Sequence, residues 1–134
     1  MSEDNIDIVR KHIDAYRRED APTSLSFLDP HVVWDPSRVA VVDSTVAFGP
    51  EAVLDAVLRY VGAFEDYDYD VKELTDLGSG GVLAVVTEKG TGKSSGVHVE
   101  RSFATLYTLL DGKIVRLTMF PSEAEALEAA GLGE

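Results

Sequence analysis

Three side chains have the chemistry of proton transfer and stand where secondary structure can turn them inward: Asp35, His12 and Tyr16. Asp35 closes the segment His31–Asp35, directly before Pro36. A carboxylate under an apolar roof has its charged form disfavoured, so it can accept a proton near neutrality. The same residue also fits a surface aspartate, or a cap for the turn at Pro36. His12 lies on the flank of a helical apolar stripe, where an imidazole can act as acid, base or hydrogen-bond donor. A half-buried histidine bonded to a backbone carbonyl is the plainer alternative. Tyr16, one helical turn on, could donate to a developing enolate. His31 and His98 read as structural or solvated. The three histidines show no one-turn-apart pairing of the kind that holds zinc, so no metal site is expected. No cofactor is implied.

Two arginines belong to the same argument. The dipeptide Asp111-Gly112 signals a two-residue hairpin, which pairs Leu110 with Lys113. Continued without interruption, this register sets Tyr107 opposite Arg116, Thr105 opposite Thr118, and Phe103 opposite Phe120. Side chains alternate between faces along a strand. One face then carries Arg101, Phe103, Thr105, Tyr107, Arg116, Thr118 and Phe120, a set of aromatics, hydroxyls and guanidiniums suited to a ligand pocket. Arginine forks match a carboxylate or enolate. A bulge near the turn would shift one strand and change this list. Trp34 has the opposite parity to Asp35 and is expected to pack away from it.

The elements that must hold these residues follow from periodicity. Ile6, Val9, Ile13 and Tyr16 recur at helical spacing within Asn5–Glu19. Pro22–Leu28 reads as a short helix, stopped at Asp29-Pro30. His31–Asp35 is a strand, followed by an irregular apolar stretch to Phe48. Gly49-Pro50-Glu51 opens a second long helix, with proline at its tolerated first position. After Glu65 the period changes to two. Strands are expected over Tyr67–Leu77, Val82–Lys89, His98–Leu110 and Lys113–Phe120. Ser122 and Glu125 have capping-box spacing before a short final helix. Helices gathered early and strands joined by hairpins mean an α+β fold.

Thr87–Ser94 nearly spells a phosphate-binding loop, but threonine stands where the motif needs glycine and a strand follows where it needs a helix. We read it as a hairpin loop. The 134 residues suit one domain, taken as residues 1–134. Twelve basic and 24 acidic residues give a net charge of −12, which disfavours nucleic acid as a partner. Cysteine is absent, so there is neither a disulfide framework nor a thiolate nucleophile. No stretch approaches a membrane span, and Met1–Asn5 lacks the pattern of a secretion signal, so the expected location is cytoplasmic. Both sheet faces are apolar near their centres. With no helix left for the second face, a homodimer is expected to cover it.

The strand ending Val33-Trp34-Asp35-Pro36, the helix opened by Gly-Pro-Glu, the hairpin Asp111-Gly112-Lys113-Ile114-Val115 and the final Glu-Ala-Leu-Glu-Ala-Ala-Gly-Leu helix together resemble the SnoaL-like proteins. These belong to the nuclear-transport-factor-2-like superfamily, with ketosteroid isomerase, scytalone dehydratase and limonene epoxide hydrolase. The resemblance spans nearly the whole chain. It implies a cone-shaped, curved antiparallel sheet wrapped around the N-terminal helices, with a pocket between, often in a dimer. It also implies that Asp35 takes the place of the isomerase general base. The oxyanion-donating tyrosine of the first helix falls close to His12, with Tyr16 one turn on. The isomerase's second donor is an acid on the fifth strand. This sequence has Arg101, Phe103 and Thr105 there, which argues against steroid isomerase chemistry.

Two functions remain open at this point. One is an acid–base enzyme of isomerase, cyclase or dehydratase type, acting on a small apolar carbonyl compound. The other is a non-catalytic ligand-binding or dimerisation module of the same fold.

Overall fold

A computed structural model of the chain describes residues 4–39 and 46–131. Helix α1 (Asn5–Arg17) buries Ile8, Val9, His12, Ile13 and Ala15 on one face. Helix α2 (Ala21–Ser26) is capped by Asp20, whose carboxylate accepts from the Thr23 amide at 3.3 Å. Strand β1 (Leu28–Asp35) follows. Part of the irregular stretch expected after Pro36 lies outside the described residues. Strand β2 (Ala47–Phe48) and helix α3 (Pro50–Gly62) come next, separated by Gly49 at φ 91°, a conformation that favours glycine. Strands β3 (Phe64–Gly78), β4 (Gly81–Gly92), β5 (His98–Leu110) and β6 (Lys113–Phe120) precede helix α4 (Glu123–Ala129). Strand β4 runs on to Gly92, so the first half of the expected Gly90–Gly96 loop is strand, paired with β5.

The six strands form one curved sheet in the order β2-β1-β6-β5-β4-β3. It is antiparallel except where β1 lies parallel to β6. Two turns have two consecutive residues at positive φ, the hairpin geometry that matches strand twist. They are Ser79-Gly80 (51° and 85°) and Asp111-Gly112 (51° and 79°). Gly80 is doubly constrained, because an added Cβ would stand 2.6 Å from the Leu109 carbonyl oxygen. The main core lies between the inner face of the sheet and α1–α3, around Val9, Val32, Val86 and Ile114, each fully buried. Among the described residues, no helix is long and apolar enough to cross a membrane.

The last hairpin departs from the expected register in one place. Leu110 faces Lys113 and Leu109 faces Ile114, but Thr108 faces Arg116. Val115 is the extra residue, a β-bulge. Beyond it every side chain of β6 changes face. Thr105 now opposes Met119, Leu106 opposes Thr118 and Ala104 opposes Phe120. The inner wall is therefore Phe103, Thr105, Tyr107, Leu117 and Met119, while Arg116, Thr118 and Phe120 move to the outer face.

The outer face also has a helix after all. Ala126 and Leu127 of α4 pack on Leu83, Ala104 and Phe120, a second small cluster. The argument that a partner chain must cover the whole outer face is corrected accordingly. Only the part beyond α4 stays open, and Phe48, 70% exposed, stands at its edge beside Val33.

Candidate functional site

The space between the inner face and the helices is a chamber of about 100 Å³. Strands β5 and β6 supply its wall through Phe103, Thr105, Tyr107, Leu117 and Met119; Trp34 of β1 closes one side. His12 and Tyr16 enter from α1, and Leu54 and Val57 from α3. A volume of this order approaches the ~150 Å³ apolar cavity that admits benzene. An open groove of about 570 Å³ adjoins it and shares Tyr16, Ser24, Leu54, Tyr67 and Tyr69 with it.

His12 is almost fully buried, and its Nδ1 lies 3.0 Å from the Ser24 carbonyl oxygen and 3.2 Å from the Ser24 hydroxyl. A carbonyl only accepts, so Nδ1 carries the proton and donates to it. Burial disfavours the imidazolium and lowers the pKa below the ordinary 6.5, against a smaller opposing effect of the Ser24 bond. The ring is thus neutral at pH 7, and its Nε2 keeps a lone pair. Nε2 has no hydrogen-bond partner among the described residues, and the ring lines the chamber. It sits edge-on to Tyr107, with centroids 6.2 Å apart. Local sequence explains this placement: the α1 stripe turns His12 inward, and the Asp20 cap starts α2 so that Ser24 meets it.

Tyr16 stands edge-on to Tyr69, with centroids 5.7 Å apart. Burial, with Tyr69 and Glu88 nearby, raises its pKa, so the hydroxyl stays a donor. Tyr69 and Tyr107 are raised as well, chiefly by burial.

At the other end of the chamber is a group that the sequence reading missed. Glu88 is 2% exposed. Its Oε1 accepts from the Tyr67 hydroxyl at 2.7 Å; its Oε2 accepts from Tyr60 and from Arg101 Nε, the latter at 2.7 Å. Arg101 Nη2 also donates to the Tyr60 oxygen at 2.8 Å. One carboxylate thus ties α3, β3, β4 and β5 together. Its signal was available: Val82, Ala84, Val86 and Glu88 share one parity, so an acid follows three buried residues on the inner face.

The remaining candidates divide. His12, Tyr16, Phe103, Thr105 and Tyr107 are brought together in the chamber. Arg101 is at its end, but committed to Glu88 and Tyr60. Asp35 is not in the chamber. It shares a face with Val33, as its parity requires, but that face is the outer one, and Trp34 points inward instead. Asp35 Oδ1 accepts from the Ser37 amide at 3.0 Å and the Ser37 hydroxyl at 2.6 Å, while Oδ2 accepts from Arg116 at 2.9 Å. The Ser37 hydroxyl first, then the Ser37 amide and Arg116, hold its pKa below the ordinary value. That is the turn cap at Pro36, with an ion pair added. Thr118 accepts from Arg116 Nε at 3.1 Å, and Phe120 lies under α4 with the Arg38 guanidinium 5.2 Å from its ring centroid. The bulge at Val115 is the common cause for the β6 residues.

This geometry matches known architectures. An NTF2-like protein from Burkholderia thailandensis has a TM-score of 0.82 at 22% identity, over 98% of each chain. TerC, co-crystallised with polyporic acid, has a TM-score of 0.75 at 18% identity, over 92% of this chain and 95% of its own. A protein of ketosteroid isomerase-like fold from Catenulispora acidiphila, in complex with trimethylamine, has a TM-score of 0.70 at 15% identity, over 93% and 92%. At these identities the likeness is one of fold. No protein of curated function matches the sequence. The SnoaL-like domain pattern matches residues 9–117, most of the chain, from the first helix to the middle of β6. The chain belongs to the SnoaL-like domain family.

Proposed function

We propose that this protein takes a small, largely apolar carbonyl compound into the chamber and acts on it by acid–base chemistry, with His12 as the base. The observation that carries the reading is the neutral, buried His12 with Nδ1 fixed on Ser24 and Nε2 left for a ligand. Nε2 would take a proton from the carbon beside the carbonyl. The Tyr16 hydroxyl would donate to the enolate oxygen as charge develops there. Glu88 is unsuited to the role of base, since its oxygens already accept three charge-assisted or tyrosine bonds. The reaction class is isomerisation, cyclisation or dehydration, none of which needs a cofactor here.

The test is His12→Gln, assayed against a panel of small cyclic and acyclic carbonyl compounds. Turnover should fall by roughly two to four orders of magnitude. Unchanged turnover removes His12 from the mechanism.

A second reading, a non-catalytic binding module, has one observation in its favour. The charged groups at the chamber's end, Glu88 and Arg101, are committed to each other, leaving no uncommitted charged side chain among the described residues that line the chamber. Ligand-induced stabilisation with no product from any compound would select this reading.

We further propose that a second copy of the chain covers the part of the outer face beyond α4, near Phe48 and Val33. The exposed Phe48 ring supports this reading.

A further inference from the structure

The chamber keeps three polar side-chain groups for a ligand, and one of them has no task in the reaction proposed above; the inference rests on that reading. Tyr60 and Tyr67 donate to Glu88, and Tyr69 and Tyr107 pair their hydroxyls. Ser24 is bound to His12. His12 Nε2, the Tyr16 hydroxyl and the Thr105 hydroxyl remain, none with a hydrogen-bond partner among the described residues. Nε2 serves the carbon beside the carbonyl, and Tyr16 serves the carbonyl oxygen. Thr105 serves neither.

Thr105 is 4% exposed and lines the chamber. Among the described residues no sealed polar side-chain atom lacks a partner, so its unbonded oxygen must open on the chamber's space. Its neighbours fix where it stands. Phe103, Thr105 and Tyr107 share the inner face, with about 7 Å between alternate residues. Tyr107 meets His12 with ring centroids 6.2 Å apart, and Phe103 reaches Tyr16 through Tyr69, at 6.5 and 5.7 Å. Thr105 therefore lies midway along the wall, on the sheet side, opposite the two groups that α1 supplies. Its cross-strand neighbours are Met119 and the small Ala84, which leaves room over the hydroxyl. A ligand that reaches from His12 to Tyr16 covers it. With a single oxygen, that ligand would satisfy Tyr16 and shut the Thr105 hydroxyl away from water without a partner, which is unfavourable.

We propose that Thr105 is a specificity-determining residue whose hydroxyl holds a second oxygen of the ligand, so that the substrate class is a single-ring hydroxyketone rather than a monofunctional ketone. A threonine hydroxyl can donate to the ligand's hydroxyl or accept from it. The chamber, about 100 Å³, limits the ligand to about one ring.

Isothermal titration with three one-ring probes tests this: 3-hydroxycyclohexanone, its near-isostere 3-methylcyclohexanone, and cyclohexanone. The hydroxyketone should bind about tenfold more tightly than the methylketone. Thr105→Val keeps the branched shape and should shrink that preference to about twofold or less, while changing cyclohexanone binding by no more than about twofold. Thr105→Ser should retain the preference. Thr105→Val should also leave the melting temperature of the ligand-free protein unchanged or raised, since the hydroxyl has no bond to lose. A fall of several degrees would reveal a structural bond and overturn the proposal. A preference that survives in Thr105→Val places the second oxygen on another group, and loss of cyclohexanone binding in that variant places Thr105 on the carbonyl oxygen; either overturns the assignment. Equal binding of hydroxyketone and methylketone overturns it too, and the pocket reading then survives in the binding of cyclohexanone. Binding by none of the probes overturns the proposed ligand class, and the His12→Gln assay decides the pocket reading separately.

Discussion

Arg116 Nη2 stands 2.9 Å from Asp35 Oδ2 on the outer face of the sheet, so two residues that strand alternation turns toward a pocket meet instead on its far side. Parallel pairing of β1 with β6 brings them together, Val33 opposite Arg116 and Asp35 opposite Thr118. Asp35→Asn should therefore leave ligand binding and turnover unchanged. It should lower stability by about 1 kcal/mol or less, as expected for a pair with an exposed partner. The acid limb should change too. The folded pKa of Asp35 is depressed, so its contribution is present above the unfolded value of about 3.9 and is lost as pH falls through the folded value. Urea denaturation of both proteins across the acid range checks this; a large loss of activity in the variant would return Asp35 to the site.

Glu88→Gln should be far more costly. The substitution leaves Arg101 without its counter-charge and removes the charged acceptor of Tyr60 and Tyr67. Breaking such a pair from one side costs about 2–3 kcal/mol where, as here, one partner keeps some contact with water. Chemical denaturation measures the loss. A change below about 0.5 kcal/mol would show that the cluster is not a structural tie.

Stability should fall as pH drops below about 6.5, through His12. Its folded pKa is lowered, so between the two values the unfolded chain binds a proton that the folded chain does not, and stability rises with pH there. Below the folded value the loss levels off. Thermal melts from about pH 5 to 7.5 should show this slope, and His12→Gln should remove it. An identical slope in the variant would place the titration elsewhere.

Phe48→Glu should dissociate the dimer proposed above without unfolding the protomer, since the residue is 70% exposed. Light scattering at micromolar concentration checks it. A monomer already in the unsubstituted protein sinks the dimer.

Local patterns made most of the fold legible. The stripe Ile6, Val9, Ile13 fixed the inward face of α1 and with it His12. Asp111-Gly112 fixed the last hairpin, because only residues tolerant of positive φ close a two-residue turn. Alternation then placed Phe103, Thr105 and Tyr107 correctly. It failed on Arg116, Thr118 and Phe120 because the bulge at Val115 follows from nonlocal pairing: β6 must satisfy β5 on one edge and a parallel β1 on the other. Nothing in Lys113–Phe120 alone marks it. The face of Asp35 depended on that same pairing. Glu88 was legible by parity, but its role required knowing that Arg101, Tyr60 and Tyr67 converge on it from three other elements.

Val115 has one more consequence. It acts as a half-step in the phase of β6, and the lining of the chamber depends on that phase more than on composition. Were Val115 paired with Thr108 in place of the bulge, Arg116 would oppose Tyr107, and Arg116, Thr118 and Phe120 would meet the ligand in place of Leu117 and Met119, exchanging an apolar wall for a cationic and hydroxylic one with no change of residue type. Register, not residue type, then decides what this pocket accepts: a protein lacking Val115 would keep Thr108 opposite Arg116 and Tyr107 opposite Leu117, and its ligand profile should match that of the full chain.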